Sequence, residues 1–192
     1  MIAVIKYNAG NVRSISNALQ RLNIDARITD DPTEIRNADK VIFPGVGEAS
    51  TAMKYLKERK LDEVLKDLTQ PFLGICLGLQ LMCEHTEEGE VDCIGIFPEK
   101  VKIFPPTSKV PHMGWNDFTD LNSPLFNNID LKDDMYFVHS YYAEVGQDTI
   151  ATTDYILPFS SAFQKDNFYA VQFHPEKSAD VGQQLLRNFL EL

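Results

Sequence analysis

A chain of 192 residues with 44% hydrophobic residues can bury one substantial core, is short for two, and lies outside the disordered classes. Its 18 basic and 28 acidic side chains give a net charge of -10, a surface that repels phosphate backbones and argues against nucleic-acid binding. No apolar run reaches the ~20 residues of a membrane-spanning helix, and Met1-Ile2-Ala3-Val4-Ile5-Lys6 lacks the build of a signal peptide, so a soluble cytoplasmic protein with no membrane partner is expected.

Ile2 to Tyr7 is a brief aliphatic run that predicts a buried strand ending at the turn-forming Asn8-Ala9-Gly10-Asn11. Val12, Ile15, Leu19 and Leu22 then recur at helical spacing. Asp25 to Thr29 and Lys40 to Phe43 are the next strands, the second followed by Pro44-Gly45-Val46-Gly47. Ala49 to Leu68 reads as helical, with Met53, Leu56, Leu61, Val64, Leu65 and Leu68 supplying its apolar faces. Pro71-Phe72-Leu73-Gly74-Ile75 is a fourth strand, and a helix starts just after Cys76.

The second half is richer in strands: Val101 to Phe104, Met135 to Val138, Thr149 to Thr153 and Phe168 to Phe173. Ser178 to Leu190 closes the chain as a helix, with Ser178 as its cap, Asp180 at its positive end, and Val181, Leu185 and Phe189 on one face. Strands alternating with helices imply parallel pairing through right-handed crossovers. The expected architecture is α/β: a single domain over residues 1–192, built as a three-layer open sheet, mostly parallel, with helices on both faces and an antiparallel extension among the closely spaced later strands.

Cys76, Cys83 and Cys93 are odd in number and show no paired spacing, which argues against a disulfide framework. With His85, His112, His139 and His174 scattered, no metal site is expected. The strongest local signal is Gly74-Ile75-Cys76-Leu77-Gly78. Glycines two positions either side of a nucleophile mark a sharp strand-to-helix turn, where helix N–H groups can stabilise a thiolate and the Leu77 N–H can meet an oxyanion. The pentapeptide alone is equally compatible with a buried cysteine between two packing glycines.

The second signal, Gln172-Phe173-His174-Pro175-Glu176, follows a strand and so would emerge at a carboxyl end, where open parallel sheets gather their active sites. Residues two apart in an extended chain project the same way, so Glu176 can orient the imidazole of His174, which can take and return a proton. Pro44-Gly45-Val46-Gly47 also follows a strand, and its glycines allow close approach of a ligand or a plain strand-to-helix turn. The Gly-Lys-Ser/Thr ending of a phosphate loop is missing.

Gly74-Ile75-Cys76-Leu77-Gly78-Leu79-Gln80 together with Phe173-His174-Pro175-Glu176 resembles the class I, triad-type glutamine amidotransferases. Within that family the chain is similar, over essentially its whole length, to the glutaminase subunits of imidazole glycerol phosphate synthases. Val110-Pro111-His112-Met113-Gly114-Trp115-Asn116, Tyr136-Phe137-Val138-His139-Ser140-Tyr141-Tyr142 and Lys177 carry that narrower likeness. Asn8-Ala9-Gly10-Asn11, Glu48-Ala49 and Lys109 depart from it, where Gly-Met-Gly-Asn, Ala-Phe and Arg are more usual.

The resemblance implies that Cys76 is the nucleophile, His174 the general base and acid, and Glu176 the orienting carboxylate. It implies that the backbone at Val46, Gly47 and Leu77 serves the oxyanion and substrate contacts, and that Gln80, Glu88, Ser140 and Tyr141 hold the L-glutamine substrate. His112, Met113, Gly114 and Trp115 would lie toward the partner, a barrel-shaped cyclase subunit bound as a heterodimer. Ammonia would pass to that subunit, which makes imidazole glycerol phosphate and aminoimidazole carboxamide ribonucleotide in histidine biosynthesis, and no cofactor is implied. The other readings are the amidotransferase subunit of anthranilate or aminobenzoate synthase, against which the Pro-His-Met-Gly-Trp and Phe-Val-His-Ser-Tyr stretches argue, a stand-alone cysteine hydrolase or peptidase, and a non-catalytic glutamine-binding regulatory module.

Overall fold

The computed structural model describes residues 1–8 and 11–192, so the turn expected over Asn8-Ala9-Gly10-Asn11 lies partly outside the described residues. Its elements run in the order β1 (Ile2–Ile5), α1 (Val12–Arg21), β2 (Ala26–Thr29), α2 (Pro32–Arg36), β3 (Lys40–Gly45), α3 (Ala49–Glu58), α4 (Leu61–Lys66), β4 (Phe72–Cys76) and α5 (Leu77–Met82). There follow β5 (His85–Thr86), β6 (Val91–Asp92), β7 (Lys100–Ile103), β8 (His112–Asn116), β9 (Asp120–Leu121), β10 (Met135–His139) and β11 (Tyr141–Ala143). The chain ends with β12 (Thr149–Tyr155), β13 (Leu157–Lys165), β14 (Phe168–Val171) and α6 (Ala179–Glu191). None of these helices is long and apolar enough to cross a membrane.

The main sheet has the order β2-β1-β3-β4-β14-β13-β11-β7-β5-β6. The first five strands in that order are parallel, and β13 turns the pairing antiparallel against β14 and β11. Strand residues alternate between two cores, as the period of two requires. Ala3, Ile5, Val41, Phe43, Phe72, Phe168 and Ala170 face the core shared with Met53, Leu56 and Leu65 of α3 and α4. Ile2, Val4, Ile42, Leu73, Ile75, Tyr169 and Val171 face the one shared with Ile15 and Leu19 of α1 and Leu185 and Phe189 of α6. The three layers and the antiparallel extension are those expected.

Three expectations change in detail. The helical stretch from Ala49 to Leu68 is two helices, broken at Lys60, which adopts φ 55° and ψ 26°. Five residues separate Leu56 from Leu61, a rotation of about 140° on a continuous helix. The break is what lets both residues reach one core. Met135 to Val138 lies outside the main sheet, in a two-stranded antiparallel ribbon with β8 that places Tyr136 opposite Trp115. Ser178 does not cap α6: its hydroxyl donates to the His174 carbonyl at 2.6 Å and accepts from the Tyr136 N–H at 2.9 Å.

The elbow is held by close packing. A Cβ on Gly78 would collide with the Phe43 carbonyl of β3, and one on Gly74 with the Met82 sulfur of α5. Gly78→Ala should therefore destabilise the fold by about 1–3 kcal/mol, because α5 must lift off the sheet to admit the methyl. A urea-denaturation midpoint equal to that of the wild type would show that this contact can yield without cost.

Candidate active site

β3, β4 and β14 lie side by side in parallel register, with Gly45 opposite Cys76 and Val171 opposite Ile75. The register brings three loops to one end of the sheet: the Val46-Gly47 turn, the Cys76 elbow and the His174 turn. Cys76 adopts φ 55° and ψ -108°, a sparsely populated conformation for a residue with a side chain, and α5 begins immediately after it. Leu77 thus contributes the first of the helix N–H groups that no helix carbonyl can accept. Gly47 adopts φ 126°, which an L side chain rarely adopts.

The imidazole Nδ1 of His174 lies 2.8 Å from Glu176 Oε1, and both side chains are 1% exposed. The contact is not made by strand alternation. Pro175 starts a single 3-10 turn over Pro175–Lys177, and that turn folds the carboxylate back onto the ring. The His174 N–H donates to the Tyr136 carbonyl at 2.9 Å, so β10 anchors this turn. The buried Nε2 of His174 has no hydrogen-bond partner among the described residues. Burial works against an imidazolium here, but negative charge at Cys76 and the Glu176 carboxylate outweigh it and raise His174 to about 10.

A cavity of about 370 Å³ opens at this point, lined by Cys76, His174 and all the residues expected to touch substrate: Val46, Gly47, Leu77, Gln80, Glu88, Ser140 and Tyr141. That volume is at the small end of ligand pockets. The Gln80 amide nitrogen reaches two internal acceptors, the Tyr141 carbonyl at 3.1 Å and Gln172 Oε1 at 3.0 Å. Glu88 accepts the Ala49 N–H at 2.9 Å, and its carboxyl is raised by burial, with that N–H opposing and Glu48 adding to the rise. Glu48, one of the departures from the family pattern, accepts from the N–H groups of Ser50 and Thr51 at the start of α3.

The other cysteines are set apart. Cys83 donates to the Leu79 carbonyl one helical turn back, at 3.5 Å, and burial pushes its thiol well up; Cys93 is pushed up to about 12 for the same reason. Among the described residues no group of three or more His, Cys, Asp or Glu could hold a metal ion.

The segment expected to face a partner divides. Met113 and Trp115 are 57% and 54% exposed, and nothing lies within 4 Å of where a Gly114 Cβ would sit. His112 points inward and is buried, because strand alternation sends it to the opposite face of the ribbon from Met113. It stacks on Tyr155 and Phe137, and its Nδ1 lies 3.0 Å from His139 Nε2. His139 also lines the pocket, a placement that sequence reasoning missed although its Phe-Val-His-Ser-Tyr context stood out.

Solved structures share this fold. One from Thermotoga maritima titled as a glutamine amidotransferase matches with a TM-score of 0.65 and 17% identity, over 99% of this chain and 96% of that one. The structure of PurLQS from the same organism matches with a TM-score of 0.75 and 14% identity, over 99% and 97%. In sequence, the family described as glutamine amidotransferase class-I matches residues 3–192. The imidazole glycerol phosphate synthase subunit HisH of Bacteroides fragilis strain YCH46 is 58% identical over 100% of this chain and 99% of its own length, and that of Mannheimia succiniciproducens is 46% identical over 98% of each. The chain belongs to the class-I glutamine amidotransferases and, within them, to the family of the imidazole glycerol phosphate synthase subunit HisH.

Burial lowers both ribbon histidines, His112 to about 4 and His139 to about 3. Below their ordinary value of 6.5 the unfolded chain takes up protons on both while the folded chain does not, so the fold loses stability as pH falls from 6.5 towards 4. Stability to urea should drop by about 1–3 kcal/mol between about pH 6.5 and pH 5. A His112→Gln, His139→Gln double variant should show a shallower drop, and an equal one would place the acid sensitivity elsewhere.

Proposed function

We propose that this chain hydrolyses the side-chain amide of glutamine through Cys76, His174 and Glu176 and passes the ammonia to a cyclase subunit in the cytoplasm. The observation that carries the reading is the strained Cys76 elbow and His174 lining one small cavity, with the buried Glu176 carboxylate against the far side of the imidazole. The relatives named as the HisH subunit of imidazole glycerol phosphate synthase support the partner and pathway, and the family resemblance implies the products, imidazole glycerol phosphate and aminoimidazole carboxamide ribonucleotide.

The Cys76 thiolate attacks the amide carbon and a C–S bond forms. The oxyanion is taken by backbone N–H groups at Leu77 and the Val46-Gly47 turn, each contributing up to ~3–4 kcal/mol to the transition state. His174 gives its proton to the departing nitrogen, the C–N bond breaks, and ammonia leaves a glutamyl thioester. His174 then takes a proton from water as the water attacks; the C–S bond breaks and glutamate departs. Glu176 holds the ring in the tautomer that presents Nε2 to the reacting atoms and stabilises the imidazolium. Glu88, Gln80, Ser140 and Tyr141 hold the amino-acid end of the substrate, and no step calls for a metal or an organic cofactor.

Glutamate release from glutamine tests the reading, measured with and without the cyclase subunit carrying its nucleotide. Cys76→Ala should abolish release, and Glu176→Gln should lower it by roughly a thousandfold or more. Release should rise with the liganded cyclase, because a turn resting on Gly47 can realign its N–H groups when the partner acts. Release that survives Cys76→Ala would end the proposal, and Cys76-dependent release indifferent to the cyclase would remove the partner from it.

The exposed Met113 and Trp115, on the ribbon that anchors His174 through Tyr136, are the side chains we assign to the cyclase interface, with Gly114 between them and His112 supporting them from beneath. Trp115→Ala should weaken the complex by about tenfold or more, as truncation of a central aromatic does. Unchanged binding in calorimetry would move the interface off this ribbon.

A further inference from the structure

Gln172 precedes Phe173-His174, and its side chain is completely buried. Its carboxamide stands between two groups: Nε2 lies 3.7 Å from Cys76 Sγ, and Oε1 lies 3.0 Å from Gln80 Nε2. The direction of this chain of contacts is not free. The Tyr141 carbonyl can only accept, so the Gln80 atom 3.1 Å from it is the NH2 group. That same nitrogen reaches Gln172, whose facing atom is therefore the oxygen. The atom left to face the sulfur is the Gln172 NH2.

Among the described residues the Cys76 sulfur also faces the Val138 carbonyl at 3.9 Å and lies beside the His174 imidazole, whose charge it influences. A thiol can donate to that carbonyl but a thiolate cannot, whereas the Gln172 N–H serves the thiolate and gains strength from its charge. We propose that Gln172 is a further catalytic residue: its N–H donates to the Cys76 thiolate, favours the ionised nucleophile and directs its reactive lone pair into the cavity. Gln80 fixes the amide in the one orientation that can do this. The role rests on the reading of Cys76 as the glutaminase nucleophile.

Two variants separate donation from packing. Gln172→Glu is close to isosteric and keeps an oxygen for Gln80 but sets a second oxygen against the sulfur, whereas Gln172→Met fills the space with no donor. Alkylation of Cys76 by iodoacetamide in the full chain, followed by mass spectrometry, should be about tenfold slower near neutral pH in both variants. It should match wild type in strongly alkaline buffer, where the thiol is ionised regardless. With the cyclase subunit and its nucleotide, kcat for glutamate release should fall by a similar factor while KM changes little, because the donor touches the nucleophile and not the substrate.

Wild-type alkylation near neutral pH in either variant that stays folded by circular dichroism overturns the proposal. A rate lowered equally at neutral and alkaline pH also overturns it, since that marks loss of access. Cys76→Ala in the same glutamate assay separates the two readings: release that persists there removes Cys76 as nucleophile, whereas release lost there beside unaffected Gln172 variants removes only the role of Gln172.

Discussion

Cys76 is held at φ 55° and ψ -108°, a conformation that costs a residue with a side chain roughly 1–3 kcal/mol, and the rest of the site is arranged around it. No local hydrogen bond from its own side chain caps α5. The turn is imposed by close packing of β3, β4 and α5. Gly78 lies against the Phe43 carbonyl of β3, Gly45 lies against Tyr7 and Leu77, and Gly74 lies under Met82. The three glycines matter for what they leave out: each removes a side chain where two elements meet at backbone distance. Phe43 and Phe72 flank this layer in the fully buried core, so the strain is set against a large area of apolar burial that would have to be disrupted to relax it.

The same end of the sheet shows how neighbours, rather than residue type, decide charge. Three histidines lie within one contiguous region, with His112, His139 and Phe137 in mutual aromatic contact and His139 lining the pocket beside His174. Burial opposes the charged form of all three. Among the described residues the hydrogen-bonding partners of His112 and His139 are each other, Asn116 and a backbone carbonyl, none of them a carboxylate, so burial wins and both are lowered. His174 has a carboxylate at 2.8 Å and a cysteine that can be negative, and these outweigh burial. The charged form is thereby favoured at the imidazole beside Cys76 and disfavoured at the two rings behind it. Those neutral rings also stiffen the ribbon of β8 and β10, whose outer face carries Trp115 and whose Tyr136 carbonyl holds the His174 turn.

Much of this was legible in the chain because the relevant signals are local. A short aliphatic run before a glycine-flanked cysteine, and another before His-Pro-Glu, each declare a strand that ends in a functional loop. That the two loops meet is a matter of strand order, and alternation of strands and helices points to parallel pairing without specifying that order; β14 pairs with β4 although more than ninety residues of chain, by position about 171 against 75, lie between them. What escaped the sequence were elements stabilised by distant partners. β13 contains Pro158, Ser160 and Ser161 and carries no clean alternation, yet Ser160 is fully buried because Thr149 and the Glu144 carbonyl satisfy its hydroxyl. Ser178, bonding to His174 and Tyr136 in place of capping α6, likewise depends on a distant partner, and no local residue type marks the left-handed break at Lys60.

The hydrogen-bond directions inside the pocket also bear on what it can select. Both hydrogens of the Gln80 amide are engaged by internal acceptors, so what Gln80 can still offer a ligand is its carbonyl oxygen. Glu88 adds a carboxylate, and the Ser140 and Tyr141 segment adds further polar groups beside it. A wall supplying acceptors suits the ammonium end of an amino acid. At the opposite end, the proposed nucleophile is negative when it reacts, and the carbon it attacks must carry no charge of its own. A side-chain amide meets that condition, whereas the carboxylate of glutamate would be set against a thiolate in a largely buried site where like charges are poorly screened. With Cys76 as the proposed nucleophile, a preference for glutamine over its own product would follow from the charge of the sulfur as much as from the shape of the cavity, and the same repulsion would help glutamate leave once the thioester has been hydrolysed.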